Sequence, residues 1–431
     1  MLSMRKEIKS DLLNEKLIHA KLKNGLNVYV LPKEGYQKQF AIYATNYGSN
    51  DNQFVVPGEN QPIKVPEGIA HFLEHKLFEQ EEGSVFDAFS KLGASPNAFT
   101  SFNMTAYHFT STGNFYECLD ILLNFVGTPY FTDQTVEKEK GIITQEIVMY
   151  QDDPSWRVYF NLLKGLYQNH PVKNDIAGTV ESIQRITKEM LYKCYETFYH
   201  PSNMVLFVTG DIDADRVIQQ VERHFKDKNV SKQGEIKRIY PNEPPAVASQ
   251  MVKDKLPVPR PLFMLGFKDT QVGQGGQALL DKMILNDIML DMLVGQSSDL
   301  YSKLYEEGLI DLSFSAEYTG EKDYGHIIMG GESPNPEKVV DMVYQEIERL
   351  KKEPWDVEYF SRIKKKKVGE YIRMFNSLET IGVQFVSLVF KDIGLFDYIE
   401  RLMQINYGQV KDHFNRFFEN YHSSVSIILP N

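Results

Sequence analysis

The second half of this chain echoes the first. Phe198-Tyr199-His200-Pro201-Ser202-Asn203-Met204-Val205-Leu206 resembles Asn420-Tyr421-His422-Ser423-Ser424-Val425-Ser426-Ile427-Ile428, and a helical pattern precedes each. Ser84 to Gly93 likewise resembles the run that starts at Ser298-Asp299-Leu300-Tyr301-Ser302-Lys303-Leu304. A period of roughly 215 to 220 residues marks a duplicated unit, so whatever the first half folds into the second should repeat. A length of 431 residues, more than one ordinary domain needs, agrees with this.

The local patterns mix strands with helices. Asn24-Gly25 between two alternating apolar runs from Leu17 to Leu31 predicts a β-hairpin, and a further strand is expected at about Phe40 to Tyr47. Gly48 to Pro66 reads as a loop, and a helix is expected from about Pro66–Gly68 to Phe78. A short helix at Ser84 to Leu92, strand alternation at Thr105 to Thr110, and helices at Phe115 to Val126 and from Thr132 or Asp133 to about Tyr150 follow. The first half closes with a helix at Thr187 to Phe198, a strand at Ser202 to Gly210 and a helix at Ala214 to Phe225.

A Lys-, Pro- and Asn-rich connector then separates the halves. The expected division is 1–225, a linker at 226–247, and a related domain at 248–431. In the second domain strands are expected near Ala248 to Leu256, Pro261 to Phe267, Ile310 to Tyr318 and Tyr324 to Gly331, with several helices and a final helix and strand. The predicted class is α+β, two related domains of sheet covered by helices.

Composition removes some functions. A formal charge of −11 argues against a nucleic-acid binder and mildly favours neutral or basic peptides. Cys118 and Cys194 are too few for a disulfide framework, which fits a reducing compartment. Residues 1–11 are charged without an apolar core, and no run of about 18 apolar residues occurs. A cytoplasmic chain that does not enter a membrane is expected.

The chemistry concentrates in Gly68-Ile69-Ala70-His71-Phe72-Leu73-Glu74-His75. At about 100° per residue, His71 and His75 fall about 40° apart on a helix, with Glu74 about 60° to the other side of His71. Two imidazoles at i, i+4 make half of a zinc site, and a nearby carboxylate that is not a ligand can take a proton from water at the metal. The order His-x-x-Glu-His is the inverzincin motif. A third ligand is still required. Glu139 and Glu146 lie two turns apart on one predicted helix face, but the spacing alone does not choose among Glu146, Glu139, Glu137 and Glu181. No histidine occurs between His224 and His326, so one metal site per chain is expected.

With these pieces the chain resembles the pitrilysin, insulinase and mitochondrial-processing-peptidase family of inverzincins. The resemblance runs from Lys23-Asn24-Gly25-Leu26 through the His71 segment, Asn97-Ala98-Phe99-Thr100, Glu139 to Glu146, His170-Pro171 with Gly178-Thr179, and Pro201-Ser202-Asn203. Within the family it is most similar to the small bacterial YmfH-like group, described as associated with elongation factor P modification. The resemblance implies one Zn²⁺ per chain held by His71, His75 and Glu146, with Glu74 as general base and Glu139 supporting the ligands. It also implies peptide substrates bound as an added strand, which makes Asn97, Ala98 and Phe99 backbone-contact candidates. The fold implied is two mixed, largely antiparallel sheets forming half of a clamshell chamber.

One segment departs from the pattern. Family members that complete the site usually carry an Arg and a Tyr in Leu-Arg-Glu-x-Gly-Leu-x-Tyr, whereas here Leu304-Tyr305-Glu306-Glu307-Gly308-Leu309-Ile310-Asp311 places Tyr305 and Asp311 there. In some two-chain members a zinc-less paralogue supplies that pair. A heterodimer with such a paralogue is the expectation, with a homodimer as the alternative.

Overall fold

The computed structural model describes residues 2–81, 83–226, 228 and 233–431, which form two compact units. The first is built on a seven-stranded sheet in the order Leu2–Ser10, Glu15–Leu22, Asn27–Pro32, Met204–Gly210, Gln39–Thr45, Thr105–Ser111, Ser95–Thr100. The predicted hairpin is its second and third strands, paired Ile18↔Val30 through Lys21↔Asn27. Gly25 turns it at φ 95°, a left-handed conformation that a Cβ would strain, and the Asn24 side chain accepts the Leu26 N–H. Helices including Ile69–Leu77, Phe115–Val126 and Lys188–Phe198 pack their apolar residues, among them Phe72, Leu73, Leu119, Leu122 and Leu191, into a core with Val28, Val30 and Phe109 from the sheet.

The second unit has a five-stranded sheet in the order Met251–Leu256, His422–Pro430, Leu262–Lys268, Gly325–Glu332, Ser315–Gly320. Its connectivity repeats five strands of the first sheet. In each, the last strand of its half runs parallel to the half's first core strand and antiparallel to the next. The serines of the shorter echo, Ser84 and Ser298, both cap helices, Val85–Lys91 and Asp299–Glu306. The fold is α+β with a duplicated plan, as the repeat predicts.

The units are not contiguous in sequence. The first comprises Met1–Ile147, Asp175–Tyr240 and Met374–Phe390; the second comprises Val148–Asn174, Pro241–Arg373 and Lys391–Asn431. The passage at Tyr240–Pro241 falls inside the expected 226–247 connector. Beyond that, each unit takes one helix from the other half of the sequence. Helix Leu378–Val389 packs on the first sheet, where Gly382 lies so close to Phe40 that a Cβ would come within 2.4 Å of its ring, and Phe385 meets Tyr29 and Phe207. Helix Pro154–Leu166 packs on the second sheet, with Gly165 close against Ser424 and Gly266 close against Leu162 and Leu166. A helix with one apolar face carries no mark of which sheet it covers, so sequence order misassigns both.

Smaller differences have local causes. The expected loop at 48–66 contains short strands Gln53–Val55 and Pro62–Lys64, which pair with each other while Lys237–Arg238 of the connector pairs with Gln53–Val55. The strand expected from Ile310 begins at Ser315, because Ile310 and Phe314 are buried in irregular chain. Leu2–Ser10 is mostly exposed, so it lacks the alternation that marks a strand. The final helix is two, Asp397–Gln404 and Tyr407–Phe417. Pro154–Leu166 did carry a signal, Pro154 in the first turn behind an Asp153 cap.

Candidate metal centre

Helix Ile69–Leu77 presents its apolar residues Ile69, Ala70, Phe72, Leu73 and Leu77 to the core and leaves His71 and His75 toward one side. Gly68 starts it in the left-handed region, φ 85°, and packs so tightly that a Cβ would sit 2.3 Å from the Ala177 carbonyl oxygen. The second contributor is helix Asp133–Gln151, whose buried residues Val136, Glu139, Lys140, Ile143 and Ile147 form one stripe. Glu139 and Glu146 lie along the margin of that stripe, two turns apart.

The two helices bring His71, His75 and Glu146 together. Among the described residues they are the group of three whose ligand atoms lie within 4.8 Å of one another. His71 Nε2 is 3.7 Å from Glu146 Oε1, and His75 Nε2 is 3.6 Å from Glu146 Oε2. These separations exceed a hydrogen bond. They approach the edge, about 3.4 Å, of a tetrahedron whose centre lies about 2.1 Å from each ligand atom, as around zinc. His75 Nδ1 donates to Glu139 Oε1 at 3.0 Å, which directs the Nε2 lone pair toward Glu146. Glu137 is instead exposed and pairs with Lys140, and Glu181 is exposed on the short helix Val180–Gln184. Two imidazole nitrogens and one carboxylate thus suit Zn²⁺, and the geometry separates Glu146 from the alternatives that spacing left open.

Burial shapes the electrostatics. It lowers His71 to about 3, with His75 adding to the shift, so the ring is neutral and suited to a metal. Burial also opposes a charge on His75, but the Glu139 hydrogen bond and the carboxylates of Glu74, Glu139 and Glu146 outweigh it and raise the pKa. Glu74 is raised, chiefly by burial, against the hydrogen bond from Thr100, whose Oγ1 donates to Glu74 Oε2 at 2.7 Å. Thr100 is the contact that sequence reasoning passed over, although it stands directly after Asn97-Ala98-Phe99.

Those three residues lie in Ser95–Thr100, the edge strand of the first sheet, against which the His71 helix packs. Ser101 N–H pairs with the Met104 carbonyl, so alternation turns the backbone of Asn97 and Phe99 toward the neighbouring strand and that of Pro96, Ala98 and Thr100 outward. Pro96 has no N–H to leave unpaired there, and the Ala98 N–H is covered by Asn97 Oδ1 at 2.9 Å. In the second unit, Tyr305 is half exposed and stacks on Tyr301, while Asp311 accepts from Ser313 N–H and Oγ. No helix among the described residues is long and apolar enough to cross a membrane.

The comparisons agree with this picture. The insulinase (peptidase family M16) profile matches residues 61–180, and the peptidase M16 inactive domain matches residues 185–367. The chain is 46% identical to an uncharacterized zinc protease, YmfH, of Bacillus subtilis over 95% of each chain. A solved structure from Alicyclobacillus acidocaldarius, described as an M16-like peptidase, is 36% identical with a TM-score of 0.93 and covers 98% of this chain and 100% of its own. The periplasmic protease PqqL of Escherichia coli shares the fold at a TM-score of 0.75 and 17% identity, but this chain spans only 48% of it. The chain belongs to the M16 (insulinase and pitrilysin) family of zinc proteases.

Proposed function

We propose that the chain is a zinc-dependent endopeptidase acting on peptides or unfolded segments, with His71, His75 and Glu146 as ligands of one Zn²⁺. A bound zinc ion supplies Lewis acidity that polarises the scissile carbonyl and makes water acidic near neutral pH. Glu74 accepts the proton from the attacking water and returns it to the leaving amine. Glu139 holds the His75 ring in the tautomer that offers Nε2. Ala98 offers its outward N–H and C=O to a peptide added to the edge strand, once the Asn97 amide swings aside.

The observation that carries this reading is the convergence of His71, His75 and Glu146 from two helices, with a buried carboxylate, Glu74, beside them. Glu74→Gln should keep one zinc per chain and lower hydrolysis of a peptide mixture by about 10²-fold or more. Wild-type rates in that variant would sink the mechanism.

The chamber is proposed to need a second M16-type chain. Support comes from Tyr305 and Asp311, neither of which can offer what an Arg and Tyr pair would, and from PqqL, a single chain of about twice this span. Peptide cleavage that rises on adding a zinc-less paralogue supports the heterodimer; full activity of the chain alone argues against it. A second reading, a non-catalytic assembly subunit, draws on the inactive-domain profile over residues 185–367. It predicts zinc-free protein and no cleavage even with the paralogue present.

A further inference from the structure

Glu74 is held from the substrate side of the site. Its carboxylate is buried, and among the described residues the one hydrogen bond to it comes from Thr100, the last residue of the edge strand Ser95–Thr100. Thr100 is partly buried, and its nearest other hydroxyl is Thr105 Oγ1 at 3.4 Å. Thr105 spends its proton on the Tyr47 carbonyl at 2.9 Å. Behind it, the buried Tyr107 and Tyr199 hydroxyls bond each other at 2.8 Å, and Tyr199 also faces Thr105. With the Thr105 proton on the Tyr47 carbonyl, the Thr100 proton goes to Glu74 Oε2, and no donor among the described residues bonds Oε1.

We infer that Thr100 is a positioning residue that couples the peptide-binding edge to the base: its hydroxyl occupies one oxygen of Glu74 so that the other faces the water. The inference rests on the endopeptidase reading above. Two facts make the coupling mechanical. Thr100 lies on the same strand as Ala98, two residues on, so its backbone has the same outward orientation. The strand is held on one side only, by Thr105–Ser111, in the sheet. A peptide strand added at Ala98 would order this edge from its free side and, through Thr100, the side chain of Glu74. Misplacing a reacting group by about 1 Å can cost about 10²-fold, so a single hydroxyl at this point matters.

The test is a pair of variants in the full chain, assayed with its paralogue where that is needed for activity. Thr100→Val keeps the shape and removes the donor; Thr100→Ser keeps the donor. Both should retain one zinc per chain. Thr100→Val should lose about 10- to 100-fold in kcat with KM within about twofold, and Thr100→Ser should recover most of it. Crystal structures of the zinc-loaded variants supply a readout independent of activity: the Glu74 carboxylate should leave its wild-type rotamer in Thr100→Val and keep it in Thr100→Ser. Glu74 unmoved in Thr100→Val, or equal kcat in wild type and Thr100→Val, overturns the inference. If the wild-type protein cleaves no peptide under any condition, the endopeptidase reading fails first, and the rotamer still decides whether Thr100 holds Glu74.

Discussion

At the scale of single residues, the centre is a matter of which atom faces which. The His75 ring lies between Glu139 at Nδ1 and Glu146 beyond Nε2, so replacing Glu139 should act through orientation. Glu139→Gln is expected to weaken zinc about 10- to 100-fold, measured by chelator competition, while a ligand substitution such as His71→Ala should abolish stoichiometric zinc. An unchanged zinc affinity in Glu139→Gln would remove it from the site. Both positions were partly legible: the seven-residue spacing of Glu139 and Glu146 is in the sequence, but it does not say which carboxylate reaches the two imidazoles. Thr100 was legible only as a neighbour, since a hydroxyl at a strand end is common and its partner Glu74 comes from another element.

A second residue-scale effect lies in the other unit. His326 is fully buried; Tyr167 binds its Nδ1 at 2.9 Å, and its Nε2 has no hydrogen-bond partner among the described residues. Burial lowers its pKa to about 3, with His170 adding to the shift and Asp269 opposing it. The unfolded chain takes up this proton as pH falls through about 6.5, whereas the folded chain refuses it until about 3. Stability is therefore full above about 6.5 and is lost as pH falls through the window, by about 1.4 kcal/mol per pH unit for one proton. Urea midpoints of His326→Gln should depend less on pH between about 6.5 and 4 than those of the wild type. Parallel curves would show that His326 titrates normally in the fold.

At the scale of elements, hydrophobic periodicity found the units with one buried face and missed those without. Helix Phe115–Val126 spans the range the pattern predicts, while Leu2–Ser10, exposed along most of its length, does not announce itself. The start of the helix that carries His71 and His75 shows the limit of local signals. Pro66 suggests a beginning, but the helix starts at Ile69 because Gly68 turns the chain at φ 85° against the Ala177 carbonyl. Gly68→Ala imposes both a left-handed alanine and a backbone clash, a cost of about 1–3 kcal/mol or more. A lower melting temperature together with weaker zinc binding is expected by calorimetry and metal titration. A variant as stable as wild type would mean that the helix can re-enter by another path.

At the scale of the whole molecule, the exchange of helices makes the halves interdependent. A fragment ending at Tyr240 lacks Leu378–Val389, so Phe40, Phe207 and Tyr29 lose their cover. Expressed alone, it should aggregate or bind a hydrophobic dye, and co-expression with residues 241–431 should yield a soluble complex. A stable, dye-negative monomer of the fragment would refute this dependence. The sequence by itself determined the duplication, the α+β class, the i, i+4 imidazole pair at His71 and His75 and the adjacent Glu74, because each is written in local period or spacing. Only the tertiary structure decided that Glu146 joins them, that the Ala98 backbone faces outward, that Thr100 grips Glu74, and that each sheet is covered by a helix from the opposite half. Those depend on contacts between segments tens to hundreds of residues apart, where an amphipathic face or a lone carboxylate has no local mark of its partner.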